Sequence, residues 1–138
     1  MEHIGKVVQI LGPIMDIRFQ PGEVPAILNA VRVEAEDRDV WLEVSQDMGD
    51  NTVRCISLQS TEGLQRGLKA VDTGRPITVP VGREVLGRML NVLGQPMDEK
   101  GEVTTDDEMS IHRKAPPFEE QNPSTEILET GIKVIDLI

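Results

Sequence analysis

Aromatic residues are nearly absent from this sequence, and cysteine occurs once. Trp41, Phe19 and Phe118 are the only aromatic residues among 138, and there is no Tyr. A surface that stacks the bases of single-stranded nucleic acid needs several aromatic side chains on one face. Cys55 has no second cysteine with which to form an internal disulfide or a zinc site. We therefore expect Cys55 to be a small apolar side chain inside a strand.

Basic residues are also scarce. Lys and Arg number 14 against 24 Asp and Glu, which gives a net charge of −10 at pH 7. When the chain is divided at Pro80, the two parts carry −4 and −6. Binding of nucleic acid through counterion release requires a positive surface. Both parts of the chain therefore argue against a nucleic-acid partner.

Long apolar runs are missing as well. No stretch approaches the roughly 20 apolar residues that a membrane-spanning helix needs. Residues 1–6 contain no apolar segment followed by a small-residue cleavage site, so we expect neither a signal peptide nor a transit peptide. These absences predict a protein that is cytoplasmic or faces the cytoplasm as part of a complex.

Short strands separated by turn residues are the main pattern of residues 1–80. Period-2 alternation and β-branched runs predict strands at 6–11, 15–19, 30–34, 40–45, 52–58 and 76–80. Residues 61–72 contain two glycines and are interpreted as an irregular connection. Because closure removes exposed sheet edges, short strands at this spacing predict a mainly β fold with a six-stranded closed barrel.

The pattern changes after Pro80, and residues 81–138 are interpreted as the incomplete beginning of a second domain. Residues 85–93 are continuously apolar, as in a strand that is buried on both faces. Residues 99–108 are acidic and rich in turn residues. A helix is predicted to start near residue 125 with Ser124 as its cap, and its apolar stripe consists of Ile127, Leu128, Ile132 and Ile135.

Motifs that carry chemistry are not recognisable in the chain. Gly82 and Gly87 have the glycine spacing of a phosphate-binding loop, but Arg88-Met89 stands where Lys and Ser or Thr are needed. The acidic run 106–108 lacks the alternating ligands and central glycine of a calcium loop, so it is interpreted as a solvated loop. His112 is interpreted as a surface or interface histidine. We predict no catalytic, cofactor-binding or metal-binding residue in this chain.

A series of short strings resembles one family from one end of the chain to the other. The most specific is ETGIKVID at 129–136, which is similar to F-type beta subunits rather than to alpha subunits or vacuolar relatives. The whole series, in the family's order, is GKVVQILGPIMDI (5–17), LEV (42–44), GDNTVR (49–54), STEGLQRG (60–67), VDTGRPI (71–77), VPVG (79–82), LGR (86–88), NVLGQPMD (91–98), IHR (111–113), AP (115–116) and EILETGIKVIDL (126–137).

This resemblance to the catalytic beta subunits of F-type rotary ATP synthases carries several expectations. Residues 1–80 would be the barrel that joins alpha and beta barrels into a crown, within a six-membered alternating ring around a central shaft. Residues 81–138 would begin the α/β nucleotide-binding domain and stop before its phosphate loop. The complete subunit would bind MgATP and MgADP and make ATP from an ion gradient. The complex would be peripheral, on the cytoplasmic face of a bacterial inner membrane or its organelle equivalent.

Two other functions remain open at this stage. The chain could be a free-standing barrel that acts as a binding module, or an enzyme that uses Cys55, His112 or the acidic run. None of the family's catalytic or nucleotide-binding residues falls on a position of this chain, so the resemblance predicts no cofactor for it. An orphaned apolar segment at 85–93 is expected to cause self-association of the chain or disorder in that region.

Overall fold

Six antiparallel strands form a closed barrel in the computed structural model, which describes residues 3–121, 124 and 127–137. The strands are β1 (His3–Leu11), β2 (Ile14–Arg18), β3 (Asn29–Glu34), β4 (Asp39–Gly49), β5 (Thr52–Ser57) and β6 (Lys69–Pro76). Their order around the barrel is β1-β2-β5-β4-β3-β6, and β6 pairs with β1 to close it. The predicted six-stranded closed barrel is therefore confirmed.

The barrel interior is filled by one face of its strands. In β4, Val40, Leu42 and Val44 are fully buried, whereas Trp41 and Glu43 between them lie on the outside. Alternation of this kind is what a small barrel requires, because its inward side chains must fill the interior. The largest fully buried side chains are Met15, Ile17, Leu42, Val7, Val31, Val33, Val40, Val44, Val53 and Cys55.

Cys55 belongs to this interior, as the sequence predicts. Its side chain is fully buried in β5 and packs within the aliphatic core. Loss of solvation raises the pKa of the Cys55 thiol to about 12, and the carboxylates of Asp16 and Asp72 add to this rise. A thiol with such a pKa is almost wholly protonated at neutral pH, so it is a poor nucleophile and a poor metal ligand.

Gly5 allows β1 to approach β2 closely. A Cβ atom built on Gly5 would lie 2.9 Å from the carbonyl oxygen of Arg18, 2.9 Å from Cγ2 of Ile17 and 3.0 Å from Cδ1 of Phe19. A backbone oxygen cannot move away without disturbing the strand pairing. The absence of a side chain at Gly5 is therefore a packing requirement of the barrel.

The sixth strand of the barrel differs from its predicted position. The barrel is closed by Lys69–Pro76, most of which lies within or just after the segment predicted to be irregular, and not by residues 76–80. Ala70, Val71 and Asp72 are all buried, so this strand shows no alternation that a sequence pattern could reveal. Pairing with β1 on one side and β3 on the other overrides its weak local preference for strand.

Residues 78–80 form instead one strand of a separate two-stranded ribbon. Here β7 (Thr78–Pro80) pairs in antiparallel fashion with β8 (Glu108–Ser110). The prediction of a buried strand at 85–93 is wrong. Arg83–Val85 forms a 3₁₀ turn, a single bridge joins Leu90 to Pro96, and three apolar side chains of the loop are 60–75% exposed: Leu86, Met89 and Val92.

The last part of the chain is largely irregular. The predicted helix start near residue 125 lies outside the described residues, and residues 127–131 are not helical. A four-residue helix, α1 (Lys133–Asp136), follows. The predicted apolar stripe is exposed rather than buried, since Ile127, Leu128, Ile132 and Ile135 are 55–89% accessible. No helix in the described ranges is both long and apolar enough to cross a bilayer.

Substitution Gly5→Ala is expected to destabilise the barrel by about 1–3 kcal/mol, because the new methyl group overlaps backbone and core atoms. Urea denaturation followed by circular dichroism measures this change. Lys6→Ala is the matched control, since Lys6 is the next residue of β1 and is exposed. An unchanged urea midpoint for Gly5→Ala would show that the two strands can move apart at little cost.

The Cys55 thiol is expected to resist modification in the folded protein. With a disulfide reagent at pH 8, we expect its reaction to be at least about a hundredfold slower than in unfolding concentrations of urea, because the thiolate is scarce and shielded. The absorbance of the released thiol follows the reaction. Rapid stoichiometric labelling of the native chain would contradict the buried position.

Candidate functional site

A carboxylate and a guanidinium form a bidentate pair on the barrel wall. Asp16 and Arg54 are Cα partners across β2 and β5, and Arg54 Nε and Nη2 donate to the two oxygens of Asp16 at 2.8 and 2.9 Å. The hydrogen bonds from Arg54 lower the pKa of Asp16 below its ordinary value of 3.8, against the opposing effect of burial. Both groups are satisfied by each other, so the pair is a structural element of the wall.

A second buried carboxylate lies where the barrel closes. Asp72 is 5% exposed, and its Oδ1 accepts from the side-chain amide of Asn29 at 3.0 Å and from the backbone N–H of Gly74 at 3.0 Å. Nδ1 of His3 lies 3.7 Å from Oδ2. These contacts join β1, β6 and the start of β3.

The acidic run 106–108 is only partly the solvated loop that the sequence predicts. Asp106 and Asp107 are exposed, but Glu108 begins β8 and contacts the end of the barrel. Its Oε2 accepts from the hydroxyl of Thr78 at 2.9 Å and from Nη1 of Arg75 at 3.4 Å. Across the part of the chain that the structure describes, no three His, Cys, Asp or Glu side chains converge on a possible metal position.

The glycine pair at 82 and 87 lies at the start of a loop that is closed by a side-chain ion pair. We call it the stapled loop (residues 86–101). Arg88 donates to both oxygens of Asp98 at 2.8 and 3.0 Å, and also to the carbonyl of Gly101. The hydrogen bonds from Arg88 hold the pKa of Asp98 well below its ordinary value. The guanidinium is therefore occupied, and these residues do not fit a phosphate site. Sequence reasoning missed this pair because nothing in the spacing marks Asp98 as the partner.

His112 contacts the outside of the barrel. Its Nε2 lies 2.6 Å from Oε2 of Glu43 in β4, and the two side chains are 34% and 22% exposed. The sequence predicts a surface or interface histidine, and the structure adds its partner. Glu43 could be recognised from sequence as an outward residue of a strand, but not as the residue that meets His112.

Three exposed aliphatic side chains form a row across β1, β2 and β5, which we call the aliphatic row. Leu11 pairs with Ile14, and Ile14 pairs with Ile56, so the three side chains share the outer face. They are 56%, 36% and 45% exposed, respectively. Ile56 is in turn the Cα partner of Glu43. The barrel therefore has an apolar strip on its wall that ends at the pair of Glu43 and His112.

The side chains that could carry chemistry are scattered over the described part of the chain. His3, Cys55, His112 and the acidic run lie in four different surroundings, and the structure does not bring them together. What the described residues do present is a closed barrel with an apolar strip outside and a ribbon fastened to its wall.

Comparison with known protein families agrees with this architecture. Residues 7–74 match the model described as the ATP synthase alpha/beta family, beta-barrel domain. The matched segment starts within β1 and ends within β6, so it includes residues of all six strands of the barrel. The barrel of this chain is therefore similar to the β-barrel domain of the ATP synthase alpha/beta family.

Proposed function

We propose that this chain is the N-terminal part of the catalytic beta subunit of an F-type ATP synthase. The matched barrel domain occurs in the alpha/beta family as a whole, so the beta assignment rests on the strings beyond it, above all ETGIKVID at 129–136. On this proposal residues 81–138 begin the nucleotide-binding domain. The complete subunit makes ATP from ADP and phosphate with an ion gradient, in a complex at the cytoplasmic face of the membrane.

The role proposed for the segment itself is assembly. Its barrel seats the subunit beside alpha subunits in an alternating six-membered ring around the central shaft. The observation that carries this proposal is the closed barrel with its aliphatic row, because Leu11, Ile14 and Ile56 are apolar side chains placed together on an outer wall. Covering the exposed part of each would contribute about 1 kcal/mol to association.

The aliphatic row is expected to contact the barrel of an alpha subunit. In sedimentation velocity with purified F-type alpha subunit, the chain should form a complex that the double variant Ile14→Lys, Ile56→Lys weakens at least about tenfold, because two charges would be placed in an apolar contact. Ile27→Lys is the matched control, since Ile27 is 58% exposed and lies off the row.

Two outcomes would contradict this proposal. Equal weakening by the control and the double variant would mean that the row is not the contact. A chain that stays monomeric at every alpha-subunit concentration would favour a free-standing barrel that acts as a binding module.

The nucleotide site is proposed to belong to the complete subunit and not to this segment. MgATP and MgADP would be held by residues outside this chain, since the glycine pair at 82 and 87 leads into the occupied guanidinium of Arg88. Isothermal titration of the chain with MgATP should therefore show no binding. A dissociation constant in the micromolar range, about −8 kcal/mol, would overturn this expectation.

A further inference from the structure

The ribbon segment (residues 77–112) is joined to the barrel by a covalent connection at one end and by a non-covalent contact at the other. The first is the step from Pro76, the last residue of β6, to Ile77, which is 4% exposed. The second is the contact of His112 with Glu43 on β4. Because β7 and β8 are paired, both strands of the ribbon are held at the barrel, one by the chain and one by this contact.

The second connection is the one that limits rotation. A two-stranded ribbon that is attached by one strand can turn about the backbone bonds of that connection. Thr78 pairs with Ser110, and the N–H of Ile111 donates to the carbonyl of Ile77 at 3.1 Å, so the two chains reach the barrel side by side. Fixing His112 to the wall restricts this rotation. It also sets the direction in which the chain continues after residue 112.

The Glu43–His112 contact has the short distance and the partial shielding from water of a strong hydrogen bond. Nε2 and Oε2 are 2.6 Å apart, as expected for a hydrogen bond to a charged group. Both side chains are more than half shielded from water, which strengthens a polar contact. The Arg75–Glu108 pair also spans barrel and ribbon, but at 3.4 Å and with side chains 65% and 53% exposed it is the weaker of the two.

We propose that Glu43 and His112 form a latch that fixes the orientation of the ribbon segment, and of the chain after it, relative to the barrel. Opening the latch lets the ribbon segment turn about residues 76–77 while its own pairing and the barrel stay intact. This device does not depend on the identity proposed above. It would operate in any protein in which this barrel is followed by this ribbon.

Trp41 provides an internal reporter for the latch. It is the only tryptophan, and it lies two residues from Glu43 on β4. Together with Thr78, Leu93 and Glu108 of the ribbon segment it lines a cleft of about 240 Å³ between ribbon and barrel. If the ribbon turns away, this cleft opens and the indole ring becomes more accessible to solvent.

The test is a distance measurement by energy transfer between Trp41 and an acceptor on Thr104→Cys, in the exposed loop of the ribbon segment. Cys55 is buried and should not take the label, which the chain without Thr104→Cys verifies. The parent should show one narrow distance distribution. His112→Ala and Glu43→Ala should each raise the population at other distances by about tenfold, as expected for loss of one charge-assisted hydrogen bond. The double variant should resemble either single variant.

Glu34→Ala is the matched control. Glu34 is also an outward carboxylate, on β3, but its partners Arg32 and Lys69 belong to the barrel, so its removal should leave the distance distribution unchanged. Acrylamide quenching of Trp41 should rise in the two latch variants and not in the control. The urea midpoint of the barrel should stay within error of the parent.

Three results would overturn the latch. The distance distribution could be unchanged in both single variants, or broadened to the same extent by Glu34→Ala. The urea midpoint could fall together with the broadening, in which case the contact supports the barrel fold rather than the orientation of the ribbon. If the parent chain fails to bind the alpha subunit while its latch is intact, that result would count against the proposed function alone.

Discussion

Closure of the barrel depends on one strand, because β6 pairs with β1 on one side and β3 on the other. Without it, both neighbours would present unpaired N–H and C=O groups, and the aliphatic interior would open to water. The same strand contains the buried carboxylate of Asp72, which is tolerable because Asn29 and Gly74 donate to it. The hydrogen bond from Asn29 crosses from β3, so it can form only when β6 lies in one register beside that strand. The strand that completes the hydrophobic enclosure therefore also carries polar groups that specify its position.

The sequence predicts much of this barrel because five of its strands either alternate or form β-branched runs between turn residues. Strand β4 can be predicted in this way, since its inward residues Val40, Leu42 and Val44 differ in polarity from the outward residues between them. The closing strand β6 cannot be predicted from its local sequence, because Ala70, Val71 and Asp72 are all buried and only one of them is β-branched. Its conformation is set by partners that are more than 30 residues away in the chain. The local sequence pattern therefore predicts a six-stranded barrel but places the sixth strand at 76–80, C-terminal to its observed position at Lys69–Pro76.

In the segment that follows the barrel, apolar content alone leads to a wrong prediction of secondary structure. Residues 85–93 have the composition of a buried strand, yet the backbone of Gly87 and Gly94 has positive φ, at 69° and 75°, and the chain turns at both. The ion pair of Arg88 and Asp98 then closes the stapled loop, so its shape comes from a polar contact across ten residues. Arg88 could bond to any nearby carboxylate, and only the folded loop selects Asp98. The same reasoning applies to Glu43 and His112, whose pairing depends on where the ribbon lies.

The aliphatic row and the latch meet on the barrel wall, since Ile56 and Glu43 are Cα partners on adjacent strands. A protein surface that covers Ile56 would also exclude water from the neighbouring carboxylate and imidazole. Removal of water strengthens a paired polar contact, provided that both partners stay paired. Under both proposals, packing of a neighbouring barrel would therefore favour closure of the latch. By linkage, closure of the latch would favour that packing to the same extent. The barrel would then connect assembly at its wall to the orientation of the chain that follows it.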